Sequence, residues 1–357
     1  MKCGQVKFFT EAYTAKGFFS YRQSNIIGLD KVFIITGYPG TGKSALIKKI
    51  GDWAVINGLG VEMIHNVTDA DLLSGVIIPD RGTAVFDETD NLKIDCETNK
   101  EYVDLNAALN SKTAKELKEA GAAYFKKKKM LCEKAGKAFA EALSVHDEWE
   151  KIYIDNMNFS EAGNIANSLI KEIFKDDFLN KPSVQKHRFL GAPTPCGPVD
   201  FIPELTAGTE KRYLIKGRPG SGKSTMLKKI AYYASQKGFD TEIYHCAFDP
   251  DSLDMLIFRE LGISIFDSTL PHEYFPERKG DTVVDMYKLA IKEGTDEKYA
   301  KRIEDLNARY KSSIKKGVDY LAKVQKAYHE VKNGLSQNIS LDYVDKKAEE
   351  IILIIQQ

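Results

Sequence analysis

Two octapeptides in this chain have the composition of a phosphate cradle. The first reads Gly37-Tyr38-Pro39-Gly40-Thr41-Gly42-Lys43-Ser44. The second reads Gly217-Arg218-Pro219-Gly220-Ser221-Gly222-Lys223-Ser224 and is followed by Thr225. Both fit G-x-x-x-x-G-K-[ST], the P-loop pattern. Glycines let the backbone curl until its N–H groups point inward at an anion. A helix opening at the end of the loop adds its N-terminal dipole to the same site. The lysine, Lys43 or Lys223, would neutralise the β- and γ-phosphates of a nucleotide. The serine hydroxyl, Ser44 or Ser224, would ligate Mg²⁺.

An apolar run ending in an acid follows each loop at the same distance, at Asp87 and at Asp267. This is the position of a Walker B aspartate, which holds Mg²⁺ largely through water. The expected metal set is therefore Ser44 with Asp87 and Ser224 with Asp267. The first acid is followed by Glu88, the second by Ser268. A carboxylate here can orient a hydrolytic water and serine cannot, so the first site is the expected better hydrolase. His65 and His245 end their strands, and His272 sits on the turn Thr269-Leu270-Pro271-His272. All three are candidates for contacting a substrate. Metal binding by His65 with Asp69 and Asp71, or by His245 with Asp249 and Asp251, is disfavoured, since zinc sites need a closed set of three or four ligands.

The loops belong to a larger repeat with an offset of 180 positions. Phe9, Ala12, Thr14 and Gly17 match Phe189, Ala192, Thr194 and Gly197. Gly58, Glu62, His65, Asp69 and Asp71 match Gly238, Glu242, His245, Asp249 and Asp251. Phe86, Asp87 and Thr89 match Phe266, Asp267 and Thr269, with no gap. A period of this size is a duplicated domain rather than a solenoid repeat. It divides the 357 residues into 1–180 and 181–357.

The elements that must position these residues follow from local pattern. Each copy predicts a strand (6–10, 186–190), a turn ending in Thr-x-x-Gly, the loop strand, the loop, and a helix (43–57, 223–237). Another strand follows (61–65, 241–246), then a short helix starting near Asp69 or Asp249, then the strand ending in the acid. Alternating strands and helices predict an α/β fold, here two tandem P-loop domains, each a three-layer parallel sheet. Right-handed crossovers would bring the strand ends to one edge. After the acid each half turns helical, with Leu131, Ala135, Phe139, Ala142, His146, Trp149 and Tyr153 at helical spacing. Ile303, Leu306, Tyr310, Ile314, Val318, Leu321, Val324 and Val331 repeat the pattern. This predicts one long helical hairpin per half, its stripe packed against other helices. The run Lys126-Lys127-Lys128-Lys129 reads as a solvated helical face.

Charge is balanced, 51 basic against 51 acidic residues, so no bulk field draws the chain to nucleic acid or to an anionic membrane. The five cysteines form no C-x-x-C pair. With no signal-like apolar region at the start, the expectation is a cytoplasmic protein with reduced thiols.

The tandem loops, the two Phe-x-x-Ala-x-Thr-x-x-Gly segments and Asp267-x-Thr-x-Pro-His272 together resemble a family of tandem-duplicated P-loop ATPases of Gram-positive bacteria. The resemblance runs over essentially the whole chain. It departs after Thr89, where Asp90-Asn91 replaces Pro-His. It implies nucleotide binding and names no acceptor. No N-K-x-D base-reading motif is well placed, which favours ATP over GTP. The expected function is an ATPase with two Mg-nucleotide sites whose helical hairpins report nucleotide state. Two alternatives stay open: a phosphotransferase acting on a small molecule, and a non-catalytic, nucleotide-gated adaptor for a protein partner.

Overall fold

The computed structural model describes residues 5–88, 99–109, 111–335 and 340–357. Thr89 and Asp90-Asn91, where the expected resemblance departs, lie outside the described residues. The first half contains β1 (Gln5–Phe8), β2 (Glu11–Thr14), β3 (Gly17–Ser20), α1 (Arg22–Asn25), β4 (Lys31–Thr36) and α2 (Lys43–Ile56). It continues with β5 (Val61–Asn66), β6 (Asp69–Ile78), β7 (Thr83–Asp87), β8 (Asn99–Asp104), α3 (Ser111–Ile154) and α4 (Phe159–Phe174). The second half repeats the series as β9 (Gln185–Phe189), β10 (Gly191–Thr194), β11 (Gly197–Asp200), α5 (Ile202–Leu205), β12 (Lys211–Lys216) and α6 (Lys223–Gln236). Then come β13 (Thr241–His245), β14 (Leu253–Phe258), β15 (Ile263–Asp267), β16 (Asp281–Asp285), α7 (Met286–Ala290), α8 (Thr295–Leu335) and α9 (Leu341–Gln356).

Each half is an α/β unit built on a mixed six-stranded sheet. The strand orders are β1-β5-β6-β7-β4-β8 and β9-β13-β14-β15-β12-β16. The loop strand β4 runs parallel to β7 and β8, and β12 runs parallel to β15 and β16. The expected all-parallel sheet is not what forms. β6 is antiparallel to both of its neighbours, as is β14. No helix starts at Asp69 or Asp249. Asp69 opens β6, and Asp249 stands in a turn where Ser252 N donates to its carbonyl at 2.9 Å. The apolar runs that follow, Val76-Ile77-Ile78 and Leu256-Ile257-Phe258, are buried inside the sheet. Their β-branched and aromatic content suits a pleated surface covered on both faces.

The two halves are not laid side by side with separate cores. Across the centre, Phe9 and its repeat mate Phe189 exchange backbone hydrogen bonds of 3.0 and 2.8 Å. Arg188, fully buried, reaches Glu62 at 2.7 Å and the equivalent Glu242 at 3.8 Å. Against the cost of burial, Arg259 and Arg188 hold the Glu242 carboxyl down to about 2. One core cluster joins Phe8, Ile34 and Phe86 of the first half to Phe189, Leu214 and Phe266 of the second.

The helices cross over as well. α3 and α8 lie antiparallel, with Glu148 paired to Arg309 at 3.3 Å and Lys127 to Glu330 at 3.7 Å. Leu131, Ala135 and Phe139 join Leu321 and Val324 in the shared core, so the stripe packs against another helix as expected, but the long helices pair between the halves rather than as a hairpin within each. Beyond this pair, α4 packs on α6 of the opposite half, burying Ala166, Ile170 and Ile173 with Met226, Leu227 and Ile230. α9 packs on α2 of the first half, burying Ala348, Ile351 and Ile355 with Ile47 and Ile50. Among the described residues no helix is long and apolar enough to cross a membrane.

Candidate functional site

The glycine-rich loops each join a buried parallel strand to the first turn of a 14-residue helix. Gly42 and Gly222 cap those helices at φ +93° and +86°, a left-handed conformation that favours glycine. The turn is tied within itself. Thr41 Oγ1 donates to Tyr38 O at 2.9 Å, and Ser221 Oγ to Arg218 O at 2.8 Å. Lys43 Nζ donates to Gly37 O at 2.6 Å, and Lys223 Nζ to Arg218 O at 3.0 Å. Each lysine therefore lies folded over its own loop. Burial lowers the Lys43 pKa, opposed by Asp87 and reinforced by the neighbouring charge of Lys128.

Ser44 Oγ accepts from Leu73 N at 2.9 Å, and Ser224 Oγ from Leu253 N at 3.0 Å. The antiparallel strand, absent from the expected topology, thus positions both serines. Each hydroxyl keeps its proton and a second lone pair for a further partner. Thr225 stands exposed just inside α6.

The two acids have different surroundings. Asp87, 6% exposed, is held by Arg22, whose guanidinium donates to Asp87 Oδ1 at 3.1 Å and to Asp87 O at 2.7 Å. Glu11 completes this buried group at 2.7 Å from Arg22 Nε. The second copy carries Gly191 and Ile202 where the first has Glu11 and Arg22. There Asp267 accepts from Thr269 Oγ1 at 2.6 Å and lies 3.5 Å from Lys223 Nζ. Asp254 on β14 comes one step beyond the Met255–Phe266 pair, so it stands opposite Asp267. Burial, with Asp267 beside it, pushes the Asp254 carboxyl up to about 6. Its counterpart in the first half is Ser74.

Glu88 is exposed at the end of β7, whereas Ser268 is fully buried, its hydroxyl donating to Tyr274 O at 2.8 Å. A cavity of about 1080 Å³ opens beside the first loop. Gly37, Tyr38 and Glu88 form its floor, the β2–β3 hairpin one wall and α3 the other. Lys128, Lys129 and Lys137 line it from α3; Lys128 is 6% exposed, whereas Lys126, Lys127 and Lys129 are exposed. The lysine run is therefore a solvated face only in part.

The histidines gather elsewhere. His65 bonds Ala70 O through Nδ1 at 2.6 Å and packs on Phe9 and Phe201. His245 bonds Pro250 O at 2.7 Å and His187 at 2.8 Å, and stacks on Tyr21. Burial depresses the pKa of both, that of His245 to about 4. Two strands, β6 and β7, separate β5 and its His65 from the loop strand, and β14 and β15 do the same for His245. His272 pairs with Asp200 at 2.8 Å. Burial works against its charge, but Asp200, with Asp254 and Asp267 nearby, raises its pKa above the ordinary value. Of the three, it alone shares the surroundings of a candidate acid.

Arg22, Lys128 and Asp254 escaped the reading of motifs. For Arg22 and Asp254 the available signal was a charged residue in one copy set against a neutral one in the other. For Lys128 it was the helical phase, which separates one lysine of the run from its neighbours. In comparisons with known proteins, no family model, no curated protein and no solved structure matched the chain.

Proposed function

We propose that the chain binds two Mg-nucleotides, one at each glycine-rich loop, and hydrolyses ATP. On this reading each half is a P-loop NTPase unit whose sheet carries an extra antiparallel strand. The observation that carries it is the matched local geometry. In both halves the loop joins a buried strand to a helix N-terminus, its lysine rests on its own carbonyls, and an acid ends the adjacent parallel strand. A phosphate chain entering the loop would offer each lysine a stronger acceptor than a neutral carbonyl. The loop N–H groups and the helix dipole would hold the anion. The donor set, a serine hydroxyl and an aspartate carboxylate at each loop, consists of hard oxygens and suits Mg²⁺. When bound, that ion would neutralise charge on the β- and γ-phosphates. Glu88 would orient water at the first site.

Titration calorimetry with Mg²⁺ and a slowly hydrolysed ATP analogue tests the reading. The expected stoichiometry is two per chain, falling to one in Lys43→Ala and in Lys223→Ala. A single site in fully active wild-type protein would overturn it. The cavity beside the first loop favours a second reading, phosphoryl transfer to a small molecule, because it leaves room next to Glu88 for an acceptor. Release of phosphate without any added compound separates hydrolysis from transfer.

A further inference from the structure

Near the end of α3, three metal-ligating side chains share one turn. A ring nitrogen of His146 and one carboxylate oxygen each from Asp147 and Glu150 all lie within 4.8 Å of one another. His146 and Glu150 stand one helical turn apart and so share a face, with His146 Nδ1 3.8 Å from Glu150 Oε1. That is beyond hydrogen-bond reach. His146 Nδ1 is shut off from solvent and has no hydrogen-bond partner. A buried nitrogen left in this way is unfavourable and calls for an ion or a water. Phe248 and Tyr310 flank the imidazole at ring distances of 6.0 and 5.8 Å, which limits where its nitrogen can point. Burial lowers the His146 pKa, so the ring is neutral and its lone pair suits a metal. Burial and the Asp147 carboxylate raise the Glu150 pKa, an environment that a cation relieves. Along the same helical stripe Ala142 and Tyr153 are fully buried, but the His146 side chain stays 24% exposed, which leaves an ion a way in.

We infer that His146, Asp147 and Glu150 bind one divalent first-row transition ion, of the class of zinc, cobalt or manganese, at the end of α3. One imidazole nitrogen with two carboxylates suits these ions, whereas Mg²⁺ and Ca²⁺ prefer sets made of oxygen alone. Donors around a tetrahedral ion stand about 3.4 Å apart, so the 3.8 Å pair is nearly in place. The exposed Asp147 carboxylate would close the remaining distance by a change of rotamer. The two carboxylates balance the charge of the ion, and a fourth position is left for water. The site stands against the second loop, since a side-chain carbon on Gly220 would lie 2.9 Å from Glu150 Cα. It is separate from Ser224 and Asp267 and does not depend on the nucleotide reading.

The probe is Co²⁺, added to the full chain without nucleotide and in excess Mg²⁺, with binding read by visible absorption and equilibrium dialysis. One Co²⁺ per chain is expected, displaced by Zn²⁺. Loss of a partner that only hydrogen-bonds a ligand typically weakens a metal about 10- to 100-fold, so loss of a ligand should cost at least that. His146→Gln and Glu150→Gln should each show it. Asp147→Asn should weaken Co²⁺ as well, at an exposed position where the fold is not at stake. His329 is the control, because its Nε2 already has Asp69 at 3.1 Å, and His329→Ala should leave binding unchanged. Absence of Co²⁺ binding to the wild type at millimolar concentration would overturn the assignment. So would binding that survives all three ligand substitutions, or that is lost with His329 instead.

Discussion

At the residue scale the two sites differ more than their motifs do. Asp87 shares its carboxylate with a buried arginine, whereas Asp267 faces Lys223 and a second acid, Asp254. The expected contrast between Glu88 and Ser268 therefore covers only part of the difference. Ser268 is sealed against Tyr274, but Asp254 returns a carboxyl to the second half from another strand. Glu88 remains the exposed acid at the cavity floor of the first site. In protein carrying Lys223→Ala, Glu88→Gln should cut the remaining turnover by about 10²- to 10⁴-fold, the usual worth of general-base assistance, with little change in analogue affinity. Asp254→Asn in the same background should leave turnover within about twofold, because it stands at the other site; a larger loss would contradict the assignment of the two acids to separate sites. The loop residues and both strand-end acids could be named from spacing alone, since backbone geometry fixes where such a motif puts its lysine and serine. Arg22 could not, because its pairing with Asp87 joins residues 65 positions apart and depends on where α1 docks.

At the element scale, local pattern found the strands around each loop and the helices after them, because buried strands and amphipathic helices write their periods into sequence. It misread Asp69 and Asp249 as helix starts. An aspartate before an apolar run caps a helix or opens a strand with equal local plausibility, and the neighbours across the sheet decide. The edge strands β8 and β16 were missed because they are largely exposed and carry no long apolar run, their place in the sheet being set by pairing with the loop strand. The approach of α3 to the second loop is likewise non-local. A side-chain carbon on Gly220 would lie 2.5 Å from Glu150 O and 2.9 Å from Glu150 Cα, at a φ of +72°. Burial raises the pKa of the Glu150 carboxyl, and the nearby Gly220 N–H partly opposes the rise. Gly220→Ala should therefore push the end of α3 off the loop. The steric and conformational penalties together predict a loss of about 2–4 kcal/mol, read as a lower denaturation midpoint in urea. Gly197→Ala is the control: its φ of +99° is also unfavourable, but nothing lies within 4 Å, so only the backbone penalty should appear. Equal losses in the two variants would show that α3 does not press on the loop.

At the scale of the whole molecule, the antiparallel α3–α8 pair spans both loops. Near its start α3 lays Gly121 against the Tyr38 ring of the first loop; near its end it meets the second. α8 begins beside Arg218, bound by Asp296 at 2.9 Å, and further along pairs His329 with Asp69 at 3.1 Å. The repeat divides the sequence at 180, yet α4 covers the second sheet's helix and α9 the first. The exchanged helices bury aliphatic side chains that either half would expose if separated. Arg188 would also lose its 2.7 Å partner Glu62 and keep only Glu242 at 3.8 Å. Fragments 1–180 and 181–357, each produced alone, should therefore fail to give a cooperatively unfolding monomer. They should aggregate, or pair with a second copy that supplies the missing helix. Produced together, they should form a one-to-one complex with a single unfolding transition, because every exchanged contact is restored. Calorimetric unfolding of each fragment and of the pair measures this directly. Two fragments that each unfold cooperatively as monomers, at midpoints near that of the intact chain, would show that the crossed helices contribute little to stability. A pair that forms only when the fragments meet would make α3, α8, α4 and α9 the elements through which one half senses the other.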